Sequence, residues 1–128
     1  MKFVVGGAHQ GKTDIARSLF SFDGAIADGS IIAYEDIFSA VCVSRFHLFV
    51  RRFASSALTA EKIAEELIRR NPDIIVICDD IGCGIIPLSK EERVWRENVG
   101  RAGCALAAYA DTVVRVVCSI PTAIKGSI

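Results

Sequence analysis

The sequence lacks several features that would assign it to a specialised class of protein. Its apolar runs are too short to cross a bilayer, and the first of them, Phe3–Val5, meets two glycines at once. We therefore expect neither a membrane span nor a signal peptide. It has no C-x-x-C pair and an odd number of cysteines, five, which predicts free thiols in a reducing cytoplasm. Fifteen basic and fifteen acidic side chains cancel, so no global field favours nucleic acid or a membrane surface.

Repeats, low-complexity tracts and proline-rich linkers are also missing, so residues 1–128 are interpreted as a single domain. Apolar residues make up 52% of the chain, enough to cover both faces of a sheet. Four short apolar runs predict strands: Lys2–Val5, Phe46–Val50, Ile74–Cys78 and Val113–Cys118. Helices are predicted after the first glycines, over 33–40, over Thr59–Arg70 and from Ser89 onward. This alternation predicts an α/β fold with parallel strands and right-handed crossovers.

Capping signals and inward-facing stripes refine the helix predictions. Thr59 is expected to cap the helix that precedes Pro72, and Ser89 opens a capping box with Glu92. The inward face of the long helix is expected to end at Tyr109. That of the short helix over 33–40 is expected to extend to Val41.

A glycine-rich segment directly follows the first predicted strand. It fits the pattern G-x-x-x-x-G-K-[ST] in full, with Gly6, Gly7, Ala8, His9, Gln10, Gly11, Lys12 and Thr13. Glycines let the backbone wrap a phosphate with its N–H groups, and the following helix N-terminus attracts the anion. Lys12 would bind the β- and γ-phosphates, and the hydroxyl of Thr13 would bind Mg²⁺. The pattern predicts a nucleotide-binding P-loop; the alternative is a glycine-rich turn with an incidental lysine.

Two acidic residues end the most apolar predicted strand. A P-loop site commonly uses a carboxylate at the end of a neighbouring strand to hold Mg²⁺, and Asp79 and Asp80 are the candidates. Successive strand residues point to opposite faces, so we expect one of the two to serve the metal. Strand position alone does not choose between them, and both could be solvated turn carboxylates.

Two segments resemble one known family. Val4–Ala8 with Gly11–Thr13, and Asp79–Pro87 with its Gly82 and Gly84, resemble the adenosylcobinamide kinase/adenosylcobinamide-phosphate guanylyltransferase family. The family's loop reads like G-G-A-x-x-G-K-S, and its second segment reads like N-E-V-G-x-G-I-V-P. The chain from 74 to 125 is similar as well, whereas the middle of the chain is shorter than in the family.

The resemblance implies a three-layer, RecA-like P-loop NTPase fold, a mostly parallel sheet flanked by helices, often assembled as a trimer. It implies phosphorylation of the aminopropanol hydroxyl of adenosylcobinamide by ATP or GTP with Mg²⁺, followed by transfer of GMP from GTP. It favours Asp80 as the functional carboxylate, because the family's glutamate falls there. The family also carries a histidine that becomes guanylylated. His47 is the candidate outside the loop; the alternative for His47 is a structural imidazole.

Several cations could stabilise charge on a transferring phosphoryl group. They are Arg51, Arg52, Arg93, Arg96, Arg101 and Lys125. Arg51 is favoured because it shares the predicted strand parity of His47, and Arg101 comes second through the resemblance. Each could equally be a solvated surface charge.

Three functional hypotheses follow from these residues. The first is a cytoplasmic P-loop transferase of the cobalamin pathway that acts on a corrinoid. The second is a small P-loop kinase with a different alcohol acceptor, and the third is a regulatory module that binds NTP and transfers nothing. Turnover that depends on the acceptor separates the first two from the third.

Overall fold

The computed structural model describes residues 1–81 and 89–128 and has an α/β architecture with a mostly parallel sheet. The strands are β1 (Lys2–Gly6), β2 (Ala27–Asp28), β3 (Cys42–Ser44), β4 (Ile75–Asp79), β5 (Thr112–Val117) and β6 (Ile120–Lys125). The helices are α1 (Lys12–Phe20), α2 (Phe46–Phe53), α3 (Ala60–Arg70) and α4 (Lys90–Tyr109), with a short 3₁₀ helix at Tyr34–Ser39. None of the helices in these ranges is long and apolar enough to cross a membrane.

The strand order is β2-β3-β4-β1-β5-β6, and the pairs are parallel except for β5 with β6. The parallel strands therefore present their carboxyl ends at one edge of the sheet, where α/β proteins commonly bind ligands. In the register of β1 with β4, Gly6 lies opposite Asp79. This pairing brings the start of the glycine-rich loop beside the acidic end of β4.

Alternating side chains of the sheet fill two hydrophobic cores. Val4 and Ile77 pack on one face with α1, whereas Phe3 and Val76 pack on the other face with α2, α3 and α4. The central strands are apolar on both faces because helices cover both of them. The parity of each strand residue thus decides which layer its side chain joins.

The segment predicted as a strand over Phe46–Val50 is a helix, α2, and that prediction is wrong. Phe46, Phe49 and Val50 are buried, and Phe53 packs against the same core. Their spacing of three, four and seven residues forms one helical stripe. The aromatic and branched content of the segment suggested a strand, but a helix packs all four of these side chains against the core on one face. The strand of this region, β3, lies just before it.

Other details of the sequence predictions have mixed outcomes. Thr59 and Ser89 cap α3 and α4, because their hydroxyls accept the backbone N–H groups of Lys62 and Glu92. Val41 and Tyr109, expected to face inward, are 49% and 46% exposed. Val41 follows the end of the 3₁₀ helix, and at the end of α4 the buried position falls to Ala110 instead. The antiparallel strand β6 was not predicted.

The four cysteines within the described ranges carry free thiols, as expected. Cys42 and Cys78 are buried, and Cys104 and Cys118 are exposed. The fifth, Cys83, lies in the segment 82–88, outside the described residues, as do the Gly82 and Gly84 of the family-like segment.

Candidate functional site

The glycine-rich loop connects β1 to α1 at the carboxyl edge of the sheet. Gly11 precedes the helix with φ of 84°, and His9 also has a positive φ, 59°. At Gly6 the neighbouring β5 backbone passes so close that a Cβ would collide with the carbonyl oxygen of Val116. The glycines at positions 6 and 11 are therefore needed for a close approach and for a left-handed turn.

The β5–β6 hairpin holds this loop from the side. Its turn residues Cys118 and Ser119 donate their backbone N–H groups to Gln10, at 2.6 Å to the side-chain oxygen and 2.9 Å to the backbone oxygen. A side chain at Gly11 would strike the hydroxyl of Ser119. The middle of the loop is thus fixed by contacts more than a hundred residues away in sequence.

Lys12 is the first residue of α1 and is buried, with 7% of its surface exposed. Its ammonium donates to the carbonyl oxygen of Gly7 at 2.7 Å. It also lies 2.7 Å from Oδ1 of Asp79. A buried ammonium needs such partners, because removing a charge from water is otherwise costly. Lys12 and Asp79 together form a charge pair at the ends of two adjacent elements.

Asp79 is the last residue of β4, and Asp80 follows the strand. Asp79 follows the parity of Ile75 and Ile77 and reaches Lys12 on the α1 face. Asp80 donates its backbone N–H to the Gly6 carbonyl at 2.8 Å, and it lines a different cavity of 240 Å³ next to Arg96. The structure therefore brings Asp79, rather than the Asp80 that the resemblance favoured, to the lysine of the loop.

His47 supports Asp79 from α2 and is 6% exposed. Its Nδ1 accepts the backbone N–H of Asp79 at 3.1 Å, and its Nε2 lies 3.5 Å from Oδ2 of the same residue. This bond assigns the proton of a neutral ring to Nε2. Burial lowers the pKa of His47, and the charges of Lys12 and Arg45 lower it further, although Asp79 opposes them. The neutral imidazole thus directs its Nε2–H toward the carboxylate of Asp79.

The indole of Trp95 fixes the helix turn that carries His47. Its Nε1 donates to the backbone carbonyl of His47 at 2.8 Å. The residue thus links α4 to α2 beside the site.

A cleft of 640 Å³ opens along this edge of the sheet, a size suited to a small-molecule ligand. The loop, Lys12, Thr13, His47 and Asp79 line it. Sequence reasoning missed three polar residues of its far wall: Asp28, Ser44 and Arg45. Asp28 ends β2, Ser44 ends β3, and Arg45 follows Ser44 at the same edge. A strand predicted at Cys42–Ser44, before α2 and not within it, would have placed Ser44 and Arg45 at this edge.

Two arginines favoured by the sequence lie outside this cleft. The guanidinium of Arg51 stacks 4.5 Å from the ring centre of Trp95 and lines a separate pocket of 360 Å³. Arg101 is exposed on α4, 3.7 Å from a carboxylate oxygen of Glu61. Because α2 is a helix, Arg51 and His47 do not share a strand face as the sequence had predicted.

Oxygen donors suitable for Mg²⁺ face the cleft. Thr13 offers a hydroxyl on the first turn of α1, and Asp79 offers a carboxylate. The described part of the chain holds no group of three or more His, Cys, Asp or Glu side chains arranged for a metal. This donor set fits Mg²⁺, which commonly takes one or two protein ligands and completes its shell with phosphates and water.

Comparison with known proteins gives one family match. The family model described as cobinamide kinase / cobinamide phosphate guanyltransferase matches residues 40–124. The match spans β3 to β6, including His47 and Asp79, and covers more than half of the chain. No curated protein matches this chain. The chain therefore belongs to the cobinamide kinase / cobinamide phosphate guanyltransferase family.

Proposed function

We propose that this chain is a P-loop kinase of the cobalamin pathway, with a RecA-like sheet, that phosphorylates the hydroxyl of adenosylcobinamide with an NTP. The observation that carries the proposal is the pair formed by Lys12 and Asp79, 2.7 Å apart, where α1 begins and β4 ends. A lysine from the loop and a carboxylate from the adjacent strand are the two side chains that phosphoryl transfer requires at such an edge. The family match supports the choice of a corrinoid acceptor.

The loop would bind the phosphates through Gly6–Thr13 and the N-terminus of α1. Lys12 would turn from Asp79 to the β- and γ-phosphate oxygens, which leaves the carboxylate available to a cation. Thr13 and Asp79 would then hold Mg²⁺, and its charge would neutralise the triphosphate. These contacts involve only the phosphates, so they do not select between ATP and GTP.

The proposed reaction exchanges one phosphorus–oxygen bond for another. The bond from the γ-phosphorus to the bridging oxygen breaks, and a bond to the acceptor hydroxyl oxygen forms. The bonding electrons stay with the departing diphosphate, and the hydroxyl proton is lost to water. The protein contributes position and positive charge, because phosphoryl transfer offers little covalent chemistry to a side chain.

His47 fits this scheme as a positioning residue. Both ring nitrogens face Asp79, and the ring is buried, so its geometry suits holding the carboxylate toward Lys12. Transfer of GMP from GTP, the second activity named for the family, would need one of these nitrogens to turn toward a nucleotide. The geometry therefore favours the kinase half.

The decisive test uses GTP and ATP labelled at the γ-position and GTP labelled at the α-position, each with and without adenosylcobinamide. We expect γ-label on the corrinoid and a loss of at least about 100-fold in Lys12→Ala. Acid-labile α-label on the protein that disappears in His47→Ala would establish guanylyl transfer. Tight nucleotide binding without label on corrinoid or protein would overturn the proposal and leave another acceptor or a regulatory module.

The two neighbouring carboxylates allow a second test. We expect Asp79→Asn to lower kcat by about 100-fold or more, because it removes the partner of Lys12 and the proposed metal ligand. Asp80→Asn should change kcat far less, since its side chain lies on the other face of β4. Turnover at several Mg²⁺ concentrations measures both effects. A large loss confined to Asp80→Asn would reverse the assignment.

Assembly and location are further parts of the proposal. We infer a homo-oligomer, a trimer by the resemblance, that works in the cytoplasm without nucleic acid. Light scattering coupled to size-exclusion chromatography measures the assembly, and a monomer at micromolar concentration would contradict it.

A further inference from the structure

Arg45 stands on the far wall of the cleft, between the end of β3 and the start of α2. Among the described residues that line the cleft, Lys12 is the one lysine and Arg45 is the one arginine. Its side chain is 60% exposed, so the guanidinium can move. Its position opposite the loop is a consequence of the strand order, because β3 and β1 flank β4.

The backbone of Arg45 is left-handed, with φ of 54° and ψ of 42°. A non-glycine residue in this region is strained, and such residues occur often at functional sites. The carbonyl of Arg45 is used to start α2, since it accepts the N–H groups of Leu48 at 3.0 Å and Phe49 at 3.3 Å. The turn is therefore maintained by the helix that it begins.

Gly29 supports the same turn from β2. Its N–H donates to the carbonyl of Ser44 at 2.8 Å. A Cβ on Gly29 would lie only 2.6 Å from the carbonyl oxygen of Arg45. The ends of β2 and β3 are thus packed backbone to backbone, which fixes the direction in which Arg45 leaves the sheet.

Asp28 holds the guanidinium loosely. Its Oδ2 lies 3.7 Å from Nη1 of Arg45, while its Oδ1 is used by the N–H and hydroxyl of Ser30 at 2.9 and 2.7 Å. Burial opposes ionisation of Asp28, but the bonds from Ser30 and the charge of Arg45 lower its pKa overall. A 3.7 Å pair at a partly exposed site is weak, and a phosphate that accepts two hydrogen bonds from one guanidinium would compete with it.

We propose that Arg45 is a catalytic residue of the phosphoryl transfer proposed above, on which this inference rests. As the bond to the bridging oxygen breaks and the bond to the acceptor oxygen forms, its guanidinium leaves Asp28 and binds the non-bridging oxygens of the moving phosphoryl group. Lys12 and Arg45 then neutralise that group from opposite walls of the cleft. The left-handed turn and Gly29 supply the fixed base that such a residue needs.

The test compares Arg45→Gly with the wild type. Glycine keeps the left-handed turn without strain, so the variant is expected to fold with an unchanged or higher thermal midpoint. We expect kcat for acceptor-dependent turnover to fall about 100- to 1,000-fold. Arg45→Lys should recover only part of this loss, because an ammonium cannot bind two oxygens in a fork.

A binding measurement makes the test independent of the acceptor. The probes are ADP or GDP with Mg²⁺, alone and with aluminium fluoride, which mimics the phosphoryl group in transfer. Arg45→Gly should bind the diphosphate within about twofold of the wild type and lose the tighter binding conferred by aluminium fluoride. The control is Arg69→Ala, an exposed residue paired with Glu66 outside the cleft, which should match the wild type.

Three results would overturn the assignment. If aluminium fluoride raises the affinity for the diphosphate equally in Arg45→Gly and in the wild type, Arg45 does not contact the phosphoryl group. If aluminium fluoride does not raise the affinity of the wild type for the diphosphate, the site does not stabilise the charge of a phosphoryl group in transfer. Failure of the wild type to bind either diphosphate would overturn the proposed function as well, whereas the first result leaves that function intact.

Discussion

Tyr34 lies in a cluster of aromatic rings between the 3₁₀ helix, α2 and α3. Its ring centre is 5.4 Å from that of Phe38 and 5.3 Å from that of Phe53. Its hydroxyl donates to Oε2 of Glu66 at 2.8 Å. Burial raises the pKa of Tyr34 to about 12, and the bond to Glu66 and its charge add to the effect. The phenol is therefore held in its neutral form far above neutral pH.

This shift predicts that Tyr34 titrates at unusually high pH. The chain has two tyrosines, and the absorbance of phenolate near 295 nm should show one of them ionising about two pH units above an ordinary phenol. Because the folded pKa lies above the unfolded value of 10.0, the stability contributed by neutral Tyr34 is full below pH 10. It is lost as the pH rises toward 12. Tyr34→Phe should remove the transition near pH 12, and the absence of that transition from the wild type would contradict the assignment.

The roles of single residues could be predicted from sequence only where the pattern is local. Lys12 and Thr13 belong to a contiguous motif, so their place at the start of α1 was predictable. Asp79 and Asp80 could not be ranked without knowing which face of β4 meets α1. Asp28 and Arg45 meet through the pairing of β2 with β3, which no short window of sequence contains. His47 was found, but its contact with Asp79 joins residues 32 positions apart.

The β5–β6 hairpin turns through two non-glycine residues with positive φ, 49° at Cys118 and 62° at Ser119. A two-residue turn of this kind strongly favours Asn-Gly. We expect Cys118→Asn combined with Ser119→Gly to raise the free energy of unfolding by about 1 kcal/mol, since left-handed strain is relieved. The backbone N–H groups that bind Gln10 are kept.

Urea denaturation measures this gain, and nucleotide affinity serves as the control. Because Gln10 keeps both its partners, affinity should stay within about twofold. A lower urea midpoint with an unchanged slope would show that the two side chains contribute more than the strain costs.

Element identity was predictable where one signal dominates. For α3, the cap at Thr59, the apolar stripe and the following Pro72 all predict a helix with the same limits. Helix α2 has conflicting signals, because phenylalanine and valine favour strands while their spacing is helical. Strand β6 has exposed residues along most of its length and contains Pro121, so neither apolar alternation nor strand propensity marks it. Its stability comes from pairing with β5, a tertiary contact.

The stability of the whole chain should depend on nucleotide concentration. A ligand that binds only the folded state at 100 times its Kd adds about 2.7 kcal/mol. For a domain of this size we expect this to raise Tm by about 10 °C. Thermal unfolding with increasing ATP or GTP and Mg²⁺ measures the rise. Lys12→Ala should lose most of it, and an equal rise in that variant would place the nucleotide elsewhere.

The central position of β1 has a consequence for the order in which the protein can assemble. β1 is synthesised before the two strands that flank it. It pairs with β4 from Ile75 and with β5 from Thr112. During synthesis, β1 must wait until β5 has left the ribosome before both its edges are filled. The glycine-rich loop depends further on the β5–β6 turn, because Cys118 and Ser119 donate their backbone N–H groups to Gln10. The loop should therefore gain its lateral support only after Ser119 has left the ribosome, so a chain terminated before that residue should not hold the loop in this shape.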